Sequence, residues 1–299
     1  MSALAGHLGI GFRTSPQNVE WPMLEEAWAE AGRHEVFESG WMNDHLSDPR
    51  LDTGGPSFEA MTALAALSHY VPGRTLGHTV LSATFRQPGV LAKEALTLDH
   101  VTGGRFVLGL GAGWHEGEHR TLGIELPAIG ERMGRLESTV EVLRALFSEE
   151  AAAGRGVSLD APPYRLASAT MEPAPVRAGG PAIWLGGQKP RGMRLAARLG
   201  DGWNYPANRD GTPEEFDQRR EALWRACDEV GRDRATLTIS TQLHVGEEAA
   251  DRAAVLDQAI RFAQAGAQVI LFTIAGQTGA AGIRALAHDV CIPLRERFG

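Results

Sequence analysis

Eight short apolar or β-branched runs alternate along this chain with eight longer segments of helical period, and nothing else in the sequence restricts its fold so strongly. The runs lie at residues 8–12, 36–41, 76–82, 106–111, 183–186, 202–205, 237–245 and 269–274. The helical segments between them cover 21–32, 58–70, 90–100, 132–147, 191–199, 213–230, 251–265 and 282–297. A strand followed each time by a helix pairs in parallel with its neighbours, and eight such units predict an α/β fold, the closed (β/α)8 TIM barrel. Local signals agree: Thr212-Pro213-Glu214-Glu215 reads as an N-cap, a first-turn proline and a capping glutamate, and Gly200 and Gly266 stand where helices should stop.

One stretch departs from the repeat. Residues 148–181 carry several Pro and Gly with a hairpin signal at 157–166, and are read as an insertion before the fifth strand, with a lid as one role for it. No low-complexity tract divides the 299 residues, so one domain over 1–299 is expected. With 29 Lys and Arg against 37 Asp and Glu, the net charge of −8 leaves no cationic surplus for phosphates, and nucleic acid is not an expected partner. Cys227 and Cys291 stand far apart in apolar contexts, which predicts buried reduced thiols. No apolar window is long enough to span a bilayer and residues 1–11 lack the pattern of a leader, so a cytoplasmic protein without membrane contact is expected.

Ligands of such barrels sit at the C-terminal strand ends, and here those ends are rich in glycine and polar groups. The second ends in Trp41-Met42-Asn43-Asp44-His45, the third in Thr79-Val80-Leu81-Ser82, the fourth in Gly109-Leu110-Gly111-Ala112-Gly113-Trp114, and the fifth in Gly186-Gly187. Glycine lets a planar or phosphorylated ligand approach the backbone, although a tapering strand also needs small residues simply to turn. Asp44-His45 pairs an anchoring carboxylate with a ring that exchanges protons near neutrality. Trp41, Trp114 and Trp203 are candidates for pocket walls, with core filling as the alternative.

His115-Glu116-Gly117-Glu118-His119 matches the zinc pattern H-E-x-x-H letter for letter. It is not read as a metal site. Gly117 weakens the helix, and no third ligand follows at a recognisable spacing, so the segment is taken to line the pocket or cap the next helix.

The run from Leu76 to Pro88, the segment Thr102-Gly103-Gly104-Arg105-Phe106 through Trp114, and Asp201-Gly202-Trp203-Asn204 together resemble the bacterial luciferase-like monooxygenase superfamily, and its deazaflavin branch most. The similarity runs from the first strand to the last helix. It implies a barrel, usually homodimeric, that binds coenzyme F420 or flavin mononucleotide. By resemblance, Asp44 would bond the deazaflavin and His45 would be the catalytic histidine. Thr79-Val80 would form a non-prolyl cis bulge behind the ring, and Gly111, Ala112, Gly113, Gly186 and Gly187 would line the coenzyme tail.

Two departures from the family bear on chemistry. Ala112 stands where bacterial luciferase has an arginine for the flavin phosphate, which disfavours flavin mononucleotide. Trp114 stands where deazaflavin-dependent sugar-phosphate dehydrogenases have an acid, which disfavours a sugar phosphate. The reading is an F420-dependent oxidoreductase moving a hydride between deazaflavin C5 and a small organic substrate, with imine or enone reduction favoured. The alternatives are a flavin mononucleotide-dependent monooxygenase and a barrel that has lost its cofactor.

Overall fold

The computed structural model describes residues 7–49, 55–208, 211–274 and 279–299; residues 1–6, read above for a leader, lie outside it. The elements in order are β1 (Gly9–Thr14), α1 (Trp21–Gly32), β2 (Ser39–Met42), α2 (Ala60–Leu67), β3 (Thr75–His78), β4 (Leu81–Ser82), α3 (Pro88–Thr102) and β5 (Phe106–Gly111). Then come α4 (Glu116–Leu122), α5 (Ile129–Leu146), α6 (Glu149–Ala152), β6 (Val157–Ala161), β7 (Tyr164–Ala169), β8 (Ala182–Gly186) and α7 (Pro190–Leu199). The chain ends with β9 (Gly202–Asn208), α8 (Pro213–Glu229), β10 (Thr238–His244), α9 (Ala249–Gln264), β11 (Val269–Thr273), α10 (Gly279–Leu286) and α11 (Ile292–Phe298).

The sheet is parallel throughout, in the order β3-β2-β1-β11-β10-β9-β8-β5-β4, and pairing of Leu76 with Phe106 and of Gly77 with Val107 closes it. β3 and β4 are two halves of one barrel strand, so the structure is the expected eight-stranded barrel. Helix ends follow local chemistry. The Thr212 side chain accepts from the backbone N–H of Glu215 at 3.1 Å, and α3 stops at Gly103, whose φ of +62° suits a residue without Cβ. β6 and β7 form the expected antiparallel hairpin, but it packs on α5, where Ser138 Oγ donates to Pro162 O at 2.7 Å. The remainder of 171–181 runs along the N-terminal end of the barrel, where Val176 N–H donates to Asp99. None of these contacts puts the insertion over the C-terminal strand ends, where a lid would lie. Cys227 and Cys291 are buried and free.

Strand alternation sorts the barrel interior into layers. Gly9, Ser39, Thr75, Val107, Ala182, Thr238 and Val269 form the lower, N-terminal layer. Two residues up, Trp41 and Trp184 stack across the axis with centroids 4.9 Å apart and planes at 27°. Glycines on the facing strands make room for them: a Cβ on Gly11 would touch Trp41, one on Gly77 would overlap it, and one on Gly202 would overlap Trp184. Above the indoles lie Arg13, Asn43, Thr79, Gly111, Gly186, Gln242 and Thr273.

The wall is broken where β3 passes into β4. The Thr79-Val80 peptide is cis, as the resemblance implied, and Val80 leans toward β5 and β8. A Cβ on Gly109 would collide with the carbonyl oxygen of His78, and one on Gly111 would lie 2.7 Å from Val80 Cγ2. Gly109→Ala should therefore lower stability by about 1–3 kcal/mol, because the obstacle is backbone and cannot rotate away. Gly130→Ala, in α5 with open space around it, should be neutral or stabilising by about 0.4–1 kcal/mol. Urea denaturation of both variants checks the contrast.

Candidate active site

Above the indole floor, β2 ends in Asn43-Asp44-His45, and the two neighbouring polar side chains have opposite fates. The Asp44 carboxylate is fully buried and takes both Arg86 Nη atoms at 2.5 and 2.9 Å, plus the Ser82 N–H at 2.8 Å. Arg86 also reaches Glu59 at 2.6 Å. Burial disfavours the Arg86 charge, but the two carboxylates outweigh it and hold the guanidinium ionised beyond its ordinary range. Asp44 thus ties the end of β2 to β4 and to the loop before α3. The direct coenzyme contact expected of it is not available in this geometry, because its oxygens are enclosed by protein donors.

His45 is 18% exposed, and its Nδ1 lies 2.8 Å from Glu118 Oε2. Since a carboxylate only accepts, Nδ1 carries the proton and Nε2 is left for a ligand. Glu118 also accepts from the backbone N–H groups of Leu46 at 2.6 Å and Ser47 at 3.1 Å. Burial raises the Glu118 carboxyl, but the bond and charge of His45 and the two backbone donors outweigh it and bring the value below the ordinary one. Glu118 is the residue that motif reading passed over, because it sits inside the zinc-like pattern. Its two histidines have tasks of their own. The His115 side chain caps α4 by accepting from Glu118 N–H, and His119 Nε2 pairs with Thr84 Oγ1 at 2.7 Å while Nδ1–H donates to His115 O at 2.8 Å. The expected capping role is the one observed.

The tryptophans separate. Trp114 is 63% exposed and meets the His45 ring edge-on at 5.8 Å, so it flanks the histidine. Trp41 belongs to the floor, 1% exposed with its Nε1 unpartnered. Trp203 points outward, packing on Phe216 of α8 and donating to Gly187 O at 2.7 Å. Neither of the last two is a wall at the C-terminal mouth: inward parity puts Trp41 one layer too low, and outward parity takes Trp203 out of the barrel.

Val80 is the centre of the glycine set. Gly111 and Gly186 both face it, and a Cβ on Gly186 would lie 3.3 Å from each Val80 methyl. Gly113, at φ +75°, turns beside Ser82 and Thr84, each with its hydroxyl oxygen 2.5 Å from where a Cβ would stand. Gly187, at φ +131°, has an open face. Ala112 packs on the core. The first three are thus explained by packing, while Gly187 keeps space for a ligand.

The upper interior layer is polar and incompletely bonded. Buried and without partners are Arg13 Nε, Asn43 Oδ1, Thr79 Oγ1 and Gln242 Oε1. Arg13 donates to Thr273 Oγ1 at 2.9 Å and to Thr79 O at 3.2 Å, has no carboxylate partner among the described residues, and burial pulls it down to about 10. A cation at neutral pH and three unpartnered oxygens are thus buried at this end of the barrel. His78, beneath the bulge, is held neutral by burial, which lowers it to about 4.

The profile of the luciferase-like monooxygenase family matches residues 24–288. The chain is 29% identical over 222 residues to a phthiodiolone/phenolphthiodiolone dimycocerosates ketoreductase of Mycobacterium bovis, covering 67% of this chain and 55% of that protein. It is 31% identical over 232 residues to an F420-dependent glucose-6-phosphate dehydrogenase of Segniliparus rotundus, covering 75% of this chain and 64% of the relative. The chain thus spans a little over half the length of the curated relatives it matches. A solved F420-dependent secondary alcohol dehydrogenase, in complex with an F420-acetone adduct, shares the fold with a TM-score of 0.80 at 16% identity, covering 97% of this chain and 99% of that one.

The geometry sets a test for Glu118. Its lowered value means that the pairing stabilises the fold fully above the ordinary glutamate value and loses this as pH falls through the folded one. Glu118→Gln should cost about 1–3 kcal/mol at pH 7. Urea titrations at pH 7 and pH 3.5 should show the gap between variant and wild type closing on the acid side.

Proposed function

The chain belongs to the luciferase-like monooxygenase family, and on that premise we propose that it is a coenzyme F420-dependent oxidoreductase acting on a small organic substrate with a polarised double bond. The observation that carries this reading is the incomplete polar layer above the Trp41–Trp184 floor. A guanidinium with a free Nε, two amide oxygens and a hydroxyl complement the alternating acceptors and N–H of a pyrimidinedione edge. Val80 and the open face of Gly187 offer the shape for a flat ring and its tail. The residues present fit the deazaflavin.

When bound, the coenzyme supplies a hydride at its C5. The chain supplies the rest. His45, held on Nδ1 by Glu118, presents Nε2 to the pocket: as the imidazolium it gives its Nε2 proton to the substrate heteroatom as the substrate carbon is reduced, and as the neutral ring, with Nε2 bare, it withdraws that proton in the reverse direction. Glu118 keeps the ring in one tautomer and supports its charge, the role a carboxylate plays behind a histidine base in hydrolases. Trp114 gives the mouth an apolar wall. An imine or enone suits an aromatic rim better than a phosphorylated sugar does.

Titration of purified protein with F420 and, separately, with flavin mononucleotide tests the reading: deazaflavin should bind the more tightly, and tighter flavin binding would turn it toward oxygenase chemistry. Arg13→Met should weaken F420 by about 10- to 100-fold, the worth of a charged hydrogen bond in a buried site. His45→Ala should cut turnover by about 10²–10⁴ while leaving coenzyme affinity within a few-fold, as steady-state kinetics beside binding would show.

A further inference from the structure

Beneath the indole floor lies a second cavity of about 550 Å³, at the opposite end of the barrel from His45. It exists because the lower layer of the interior is built from small residues, Gly9, Ser39, Thr75, Ala182 and Thr238 among them, where barrels of this class ordinarily place bulky branched side chains. Its deep walls are apolar: Trp41, Trp184, Val107 and Val269. The Trp41 Nε1 in that wall is buried without an acceptor.

The rim is charged, and its charges do not cancel. Glu38 is held by Arg295 and His7, and Asp201 by Arg144 at 2.7 Å, so both acids already have cations of their own. Arg105 has no ion pair among the described residues. Among the described residues the Arg177 side chain donates only to Phe106 O, at 3.3 Å, and its Nε is buried and unpartnered. An apolar chamber floored by stacked indoles and opening between two uncompensated guanidinium groups has the polarity of an amphipathic anion, and its size is that of small-ligand pockets, about 300–1,000 Å³.

We propose that this N-terminal cavity is a binding site for a small amphipathic carboxylate, with its hydrocarbon or aromatic body against Trp41 and Trp184 and its carboxylate on Arg105 and Arg177. The site is separate from the coenzyme pocket and does not rest on the function proposed above. Occupancy presses on the underside of the same indoles that floor the upper pocket, so it is placed to alter coenzyme affinity.

Decanoate is a suitable probe, with decanol as its uncharged counterpart, and thermal shift and indole fluorescence as readouts on the full chain. Wild type should bind decanoate saturably below millimolar concentration and decanol about tenfold or more weakly. Arg105→Gln with Arg177→Gln should weaken decanoate about tenfold and leave the thermal midpoint of the decanoate-free protein unchanged, which also reports that the double variant folds. Ala182→Phe should abolish decanoate binding by filling the chamber; if that variant does not fold, the arginine pair alone decides. No saturable binding, equal binding by wild type and the arginine variant, or binding that emerges only when residues 1–6 are removed would each overturn the proposal.

Discussion

The stack of Trp41 on Trp184 divides the inside of this barrel in two. An eight-stranded barrel has just enough interior for side chains to fill it, so two large rings in one layer must be matched by missing side chains in the same layer. Gly11, Gly77 and Gly202 supply that space. Every later feature inherits the arrangement. Polar groups above the floor are sealed from the N-terminal end, which makes their unpaired atoms available to a ligand entering from the C-terminal mouth. Below it, small residues leave a chamber. Much of the glycine enrichment, which invited a reading in terms of phosphate approach, is thus a packing demand of two indoles and of Val80.

The two carboxylates around the end of β2 show how local partners set function. Asp44 has the sequence position of a ligand residue, yet Arg86 and Ser82 take it up fully, so its effect on chemistry passes through the shape of the β2, β4 and α3 junction. Glu118 arrives from the loop and helix after β5, a remote part of the chain, and meets His45 across a sequence separation of 73. A histidine bonded by a hydroxyl, which both donates and accepts, could take either tautomer; a carboxylate on Nδ1 only accepts, so it fixes the proton there and leaves Nε2 for the pocket. The pair is therefore the part of the site with a defined chemical direction, and Trp114 across from it gives that direction an apolar setting.

Fold and strand ends were legible in the sequence because they rest on periodicity. The eight runs and eight helical segments coincide with the barrel elements, and Thr212 begins α8 and Gly200 closes α7 for reasons of local backbone chemistry. Helix boundaries moved by a few residues, as with α3, which starts at Pro88 and not at residue 90, because Gln87 caps it. What was hidden is what depends on parity and on distant pairing. Trp41 and Trp203 both lie on site-bearing strands, but one points into the middle layer and the other out at α8, a difference of one residue in register that composition does not show. Glu118 was concealed by its own motif. In sequence it looked like part of a metal pattern, and only the third position of α4, brought over His45 by the barrel's curvature, reveals its partner. Arg13, one residue in a strand of small and apolar neighbours, carried no spacing signal at all.

Arg13 also explains why the upper layer reads as a ligand site and not as an imperfect core. A buried guanidinium is costly unless it is paired, and proteins that bury one for structure give it a carboxylate, as this chain does for Arg86 with Asp44 and Glu59. Arg13 is buried as deeply, has only a hydroxyl and a carbonyl, and keeps Nε free. Its surroundings repeat the pattern, with Asn43 donating to Gln17 at 2.9 Å while its oxygen stays unpaired, and Gln242 Oε1 likewise. One unsatisfied atom in a core is a defect; four in one layer, around a retained positive charge, define the complement of a planar ligand with acceptors and donors along one edge. Under the proposed reading, Arg13 would hold an edge that gains negative charge on reduction more tightly than its oxidised form, and would thereby favour the reduced state.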